Sequence, residues 1–184
     1  MKTETAIKIF KLIKDKTDQE IPKSIIIKNN FRYNILNTTN GKIMSDVWYE
    51  HIGSFKENFA VVRLDYKYNF INTDGNIISD IWFDWCNNFE NGFAIVKKNN
   101  SWNVINTEGK LLTNIWFDKI YNFQDGFAYV CKNNQWNYIN TEGKLLSNMW
   151  FDDVKPFYEG LASVMKDNEY NIINTKGILL SNMW

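Results

Sequence analysis

Apolar and polar residues alternate in short bursts along most of this chain. In Phe127-Ala128-Tyr129-Val130-Cys131-Lys132, Ala128 and Val130 stand two apart while the positions between them vary from burst to burst. A period of two marks a strand with one packed face. Asn133-Asn134 is a turn, and Trp136-Asn137-Tyr138-Ile139-Asn140 is a second strand. Thr141-Glu142-Gly143-Lys144 is the next hairpin turn, its glycine supplying the positive φ that such turns need. A third strand is expected over 144–151, and a loop over 152–160 leads to the next burst.

The burst recurs with a step of 34 residues: Gly41, Gly75, Gly109, Gly143 and Gly177 keep it, as do Trp48, Trp82, Trp116, Trp150 and Trp184. Phe55, Phe89, Phe123 and Phe157 keep it too, and so do Ala60, Ala94, Ala128 and Ala162. Residues 24–184 therefore hold five three-stranded units and are expected to form one β-repeat domain. A unit of 34 residues is short for a four-stranded propeller blade, which needs roughly 40–50. An open, solenoid-like stack is the favoured architecture and a closed propeller the second. Residues 3–17 follow another period: Ala6, Ile9, Phe10 and Ile13 fall on one face of an amphipathic helix. Residues 1–23 are thus expected to be a helical cap over the first unit, as repeat arrays require. A membrane-surface helix using Lys2, Lys8, Lys11, Lys14 and Lys16 ranks lower, because the apolar face is small.

The pattern Trp-Asn-x-Ile-Asn-Thr-Glu-Gly-Lys at 102–110, then Trp116-Phe117-Asp118, then Phe-x-x-Gly-Phe-Ala-x-Val resembles the bacterial WG-repeat family across about residues 24–184. Two departures stand out. The glycine that follows tryptophan in the family is Asn34, Asn69, Asn103, Asn137 and Asn171 here, and asparagine is the next best residue at positive φ. The tryptophan persists only at Trp102 and Trp136, with Tyr33, Tyr68 and Tyr170 elsewhere. The resemblance implies a β-rich repeat scaffold with an interaction role, and it implies no catalytic residues.

Composition narrows the chemistry. Twenty-one basic and 21 acidic residues balance, which argues against a dedicated nucleic-acid binder. One histidine, His51, and two cysteines, Cys86 and Cys131, leave little material for metal or nucleophile chemistry. No cofactor or metal is expected, and the cysteines carry no disulfide pattern. With no secretory signal and no membrane span, a cytoplasmic location is expected. Glu50, Asp84, Asp118 and Asp152 form a ladder. Capping of turns or pairing with lysine is the favoured role for it, and cation binding the other. The Trp48-to-Trp184 series is expected to pack in a core. Exposed, it would suit a glycan, a peptide or a single strand. A groove of Lys97, Lys98, Lys110, Lys132, Lys144 and Lys166 keeps the last of these open.

Specificity in a repeat scaffold belongs where the copies differ. One loop position carries His51, Trp85, Lys119 and Asp153, and the position two further on carries Gly53, Asn87, Tyr121 and Lys155. A first-strand position carries Val61, Ile95, Tyr129 and Ser163. His51, Trp85, Lys119, Asp153, Tyr121, Lys155 and Tyr129 are the candidate binding residues. The expectation is a non-catalytic scaffold for another macromolecule, above all a protein. Inhibition by occlusion, for example of a host defence complex, is one form this takes. A carbohydrate or cell-envelope binder using exposed rings is the alternative. Nucleic acid is expected only through a complex.

Overall fold

The computed structural model describes residues 23–181, so the expected helix over 3–17 and Trp184 lie outside the described residues. Fourteen strands and no helix occur among them, and the strands form five sheets in tandem, none of which closes into a barrel. Two compact units meet in sequence between Glu90 and Asn91.

The unit of residues 23–90 holds the hairpin β1 (Ser24–Asn29) and β2 (Arg32–Asn37). It also holds the sheet of β3 (His51–Ile52), β4 (Phe59–Leu64) and β5 (Lys67–Asn72). The short strand β6 (Trp85–Cys86) lies near its end. The unit of residues 91–181 opens with the hairpin β7 (Phe93–Lys98) and β8 (Ser101–Asn106). Two full sheets follow: β9 (Lys119–Ile120) with β10 (Phe127–Lys132) and β11 (Gln135–Asn140), then β12 (Asp153–Val154) with β13 (Leu161–Lys166) and β14 (Glu169–Asn174).

Each long hairpin turns on two residues with positive φ, such as Asn99-Asn100 (51°, 64°) and Asn133-Asn134 (53°, 61°). This is the type I′ turn, whose twist matches that of the strands it joins, and asparagine tolerates it. Phe31 (61°) and Tyr66 (61°) occupy the second turn position in the first two hairpins, where a bulky side chain is strained. The glycine turn is a different device. Gly143 sits at φ 75°, and a Cβ there would lie 2.0 Å from the Leu112 carbonyl oxygen. Gly177 meets Leu146 in the same way at 2.2 Å. The glycine step therefore marks where the turn of one repeat presses on the backbone of the repeat before it, so both φ and space demand glycine.

The expected third strand over 144–151 does not form as a continuous strand. Only its ends touch the sheet, as the bridges Ile139↔Leu145 and Trp136↔Phe151. The cause is Asn137. It is buried in a strand and absent from the positive-φ residues, so its expected role as a turn residue is wrong. Its Nδ2 donates to the Ser147 carbonyl (2.7 Å) and the Met149 carbonyl (3.0 Å), and its Oδ1 accepts from the Tyr138 N–H (2.7 Å). The side chain thus replaces ladder bonds in the middle of the segment and bows it away. Asn34, Asn69 and Asn103 each repeat this three-bond arrangement. Asn171 shows two of these bonds, to the Ser181 carbonyl and the Ile172 N–H.

The strand that completes a sheet instead comes from the expected loop. His51–Ile52 pairs with β4, Lys119–Ile120 with β10 and Asp153–Val154 with β13. One connecting segment therefore does two jobs: Tyr49 bridges Tyr33 at the outer edge of the first hairpin, and two residues later His51 joins the next sheet. The alternate positions Ala60, Val62 and Ile71 face a core with Ile35, Tyr49 and Ile52. Phe89 covers the opposite face, 4.7 Å from Phe59 and 4.8 Å from Phe70 between ring centres. Phe157 does the same over Phe127 and Tyr138.

Candidate functional site

The strand register aligns one row of side chains across each sheet. In the second sheet His51 stands opposite Arg63, which stands opposite Tyr68. In the fourth the row is Lys119, Cys131 and Trp136, and in the fifth Asp153, Met165 and Tyr170. The hairpins β1–β2 and β7–β8 contribute Lys28 opposite Tyr33 and Lys97 opposite Trp102. The last member of every row is a ring.

A cation sits over that ring in most rows. Lys28 Nζ lies 5.5 Å from the Tyr33 centroid, and Lys97 Nζ lies 5.1 Å from that of Trp102. In the fourth sheet the middle position is Cys131, and the cation comes from the neighbouring strand: Lys119 Nζ lies 5.8 Å from the Trp136 centroid. Such pairs contribute about 0.5–1 kcal/mol at exposed sites. The Arg63 pKa is raised further by the Tyr68 hydroxyl beside it and, to a lesser degree, by Glu50. Glu50 Oε2 lies 3.2 Å from Arg63 Nε and Glu50 Oε1 lies 3.8 Å from Arg32 Nη1, so one carboxylate serves two cations. The first contact is an ion pair without an aligned hydrogen bond, because neither buried atom has a hydrogen-bond partner.

The structure gathers three of the expected residues into one cluster. The Tyr121 and Tyr129 rings stack at 4.4 Å and 23°, and Trp136 stands 6.1 and 6.3 Å from them. Lys119 closes the group from above Trp136. Beside it, a cavity of about 470 Å³ is lined by Ile95, Asn122, Gln124 and both tyrosines. His51 lies in the other unit, edge-on to Tyr33 at 6.4 Å. It lines a cavity of about 640 Å³ with Lys56, Arg63 and Tyr68. Asp153 and Lys155 pair with each other, Oδ2 to Nζ at 2.7 Å. Trp85 is 42% exposed on β6.

Other expectations divide. The acidic ladder has protein partners. Asp118 and Asp152 accept from the N–H of Asn133 and Asp167 in the hairpin turns, Glu50 faces Arg63, and Asp84 pairs with Lys67. Trp48, Trp82 and Trp150 are half-buried against apolar clusters and pack as core, not as free-standing rings. Lys110 and Lys144 of the lysine groove are taken up by Glu108 and Glu142 in their own turns, at 2.9 and 2.8 Å. Cys131, expected at an exposed position, is 3% exposed, and burial raises its pKa. Cys86, expected in a loop, is buried in β6, and burial pushes its thiol up to about 12. Arg63, Tyr68, Trp102 and Trp136 were not among the expected site residues, and Lys97 was expected only in the lysine groove. The signal was available: their positions lie two and seven residues beyond the varied first-strand position, within reach of a two-residue hairpin.

The WG containing repeat pattern matches residues 36–68, 70–102, 104–136 and 138–170. The chain belongs to that family. Its WG repeats here run from the middle of one hairpin to the middle of the next, so each matched repeat carries parts of two sheets. No curated protein matches the chain by sequence. Among solved structures, KlHsv2 with loop 6CD replaced by a Gly-Ser linker superposes with a TM-score of 0.43 at 11% identity, over 86% of this chain and 62% of that one. Kluyveromyces lactis Hsv2p gives 0.40 at 12% identity, over 86% and 59%. PorZ of the type-IX secretion system of Porphyromonas gingivalis gives 0.38 at 10% identity, over 90% and 26%. The chain thus spans about three fifths of the Hsv2 chains.

Proposed function

We propose that this WG-repeat chain is a non-catalytic, cytoplasmic scaffold that binds another protein through the rows of its sheets. The observation that carries the reading is the contrast within one frame. The buried positions repeat, as with Asn34, Asn69, Asn103 and Asn137, while the row positions change from His51 to Lys119 to Asp153. A varied set of side chains on a constant backbone suits a heterogeneous surface better than a uniform polymer. Tyrosine and tryptophan clusters with flanking cations are also the composition of interface hot spots. Occlusion of the partner's own site would make such a scaffold an inhibitor.

Capture from a native lysate, with and without nuclease, tests this. A stoichiometric protein retained in both conditions is expected. An empty matrix overturns the reading, and a partner lost on nuclease treatment moves it to nucleic-acid complexes. The stacked Tyr121 and Tyr129 beside Asn122 and Gln124 favour a second reading, a carbohydrate site, because sugar rings lie on aromatic faces and bond to amides. Quenching or shift of tryptophan fluorescence by glycans would support it.

A further inference from the structure

Resting on the protein-binding reading, we propose that the cation-over-ring rows recognise an acidic, extended segment of the partner. The first ground is charge. Within residues 23–90 the rows present Lys28 and Arg63, and within residues 91–181 they present Lys97 and Lys119, each cation beside the ring of its own row. The cation is kept even where its usual position is lost, since Lys119 on β9 supplies what Cys131 on β10 does not. The cavity beside His51 is lined by Lys56 and Arg63 and by no carboxylate among its lining residues. Glu50 pairs with Arg63 of that row at 3.2 Å and also faces Arg32 of the first hairpin at 3.8 Å, so two arginines share one carboxylate.

The second ground separates an acidic peptide from a single-stranded nucleic acid. Base stacking needs a free ring face. Here the ammonium groups of Lys28, Lys97 and Lys119 stand 5.5, 5.1 and 5.8 Å over the ring centres, so a base stacking on that face would have to move the ammonium aside. A carboxylate meets the ammonium from outside without displacing it, while the aliphatic part of its side chain lies against the ring edge.

The third ground is apolar. Phe31 and Tyr66 are 86% and 83% exposed at the hairpin tips of the first unit, next to Lys28 and Arg63 in their own hairpins. Both hold a left-handed conformation that asparagine takes at Asn100, Asn134 and Asn168. Exposed rings kept at a strained position fit anchors for an apolar side chain beside the acidic ones.

Fluorescence anisotropy of three labelled probes tests the proposal: a peptide alternating Glu and Leu, the same peptide with Gln for Glu, and a thymidine oligomer. The glutamate peptide is expected to bind and to weaken as salt rises. Each partly exposed cation is expected to contribute about fivefold. The double variant Lys97→Gln/Lys119→Gln, with unchanged circular dichroism, should therefore weaken binding about 25-fold. Lys119→Arg in the Lys97 wild-type background should bind as wild type does, because it restores the charge. Absence of glutamate-peptide binding overturns the proposal. So does equal or tighter binding of the glutamine peptide or the thymidine oligomer, or an unchanged affinity in the folded double variant. If a stoichiometric protein is still captured from lysate in those cases, the scaffold reading stands and only its acidic specificity falls.

Discussion

Replacing Asn137 with alanine removes the device that shapes the outer edge of its repeat. Three hydrogen bonds go: two from Nδ2 to the carbonyls of Ser147 and Met149, and one from the Tyr138 N–H to Oδ1. Asn137 is 0% exposed, so the void does not open directly to solvent. A buried polar group left without its partner costs about 1–3 kcal/mol. The two carbonyls lie in a part-buried edge and can tilt toward water, so about 1 kcal/mol each is appropriate, with about 2 kcal/mol for the Tyr138 N–H. The total is about 4 kcal/mol, which for a chain of this size lowers Tm by about 8–16 °C. Urea unfolding followed by circular dichroism and tryptophan fluorescence measures it. Asn140→Ala is the control, because its Oδ1 accepts from Glu142 and Lys144 N–H groups in an exposed turn where water can replace it. A loss at Asn137 below about 1.5 kcal/mol, the upper end of the net value of one hydrogen bond, or no larger than that at Asn140, would show that the side chain does not hold this edge.

Four further outcomes are expected. Gly143→Ala should cost about 2–5 kcal/mol, from left-handed strain plus overpacking against Leu112, whereas Gly126→Ala, with φ 83° and nothing within 4 Å, should cost only about 1–2 kcal/mol; chemical denaturation of both variants compares them. Cys86 should resist thiol reagents at pH 8, because its pKa is raised to about 12 and the thiolate is scarce at any lower pH; addition of urea should release the reaction, and fast native labelling would contradict the burial. Tyr66→Asn should raise stability by about 1 kcal/mol, measured in urea, by relieving left-handed strain, while lowering affinity for the captured partner. Lys110→Ala should leave the urea midpoint unchanged, because its pair with Glu108 is exposed on both sides.

The repeat and its turns were legible because they rest on local rules. Asn133-Asn134 fits a two-residue turn, and Gly143 fits a positive-φ position, whatever packs around them. The alternation of Ala128 and Val130 correctly gave the buried face of β10. The third strand was misplaced because its apolar residues satisfy the same period whether they join a ladder or are held by a side chain. Leu145 and Phe151 do join the sheet, but Ser147 and Met149 give their carbonyls to Asn137, ten and twelve residues back. That pairing is non-local, and only the joint recurrence of Ser/Thr at 45, 79, 113 and 147 with asparagine at 34, 69, 103 and 137 hinted at it. The same error turned β3, β9 and β12 into loops. It hid that His51, Lys119 and Asp153 stand in register with Arg63, Cys131 and Met165. Variation between copies did locate Lys119, Tyr121 and Tyr129. Their ring partner Trp136 escaped notice because a recurring aromatic reads as core, and Trp136 is half core and half surface.

Hydrogen–deuterium exchange of the WG-repeat chain, alone and bound to its captured protein, locates the binding surface strand by strand. New protection is expected at the row strands, β3 with β4 and β9 with β10, with little change at the glycine turns around Gly75 and Gly143. Protection confined to the glycine turns, with the row strands exchanging as in the free chain, would contradict it.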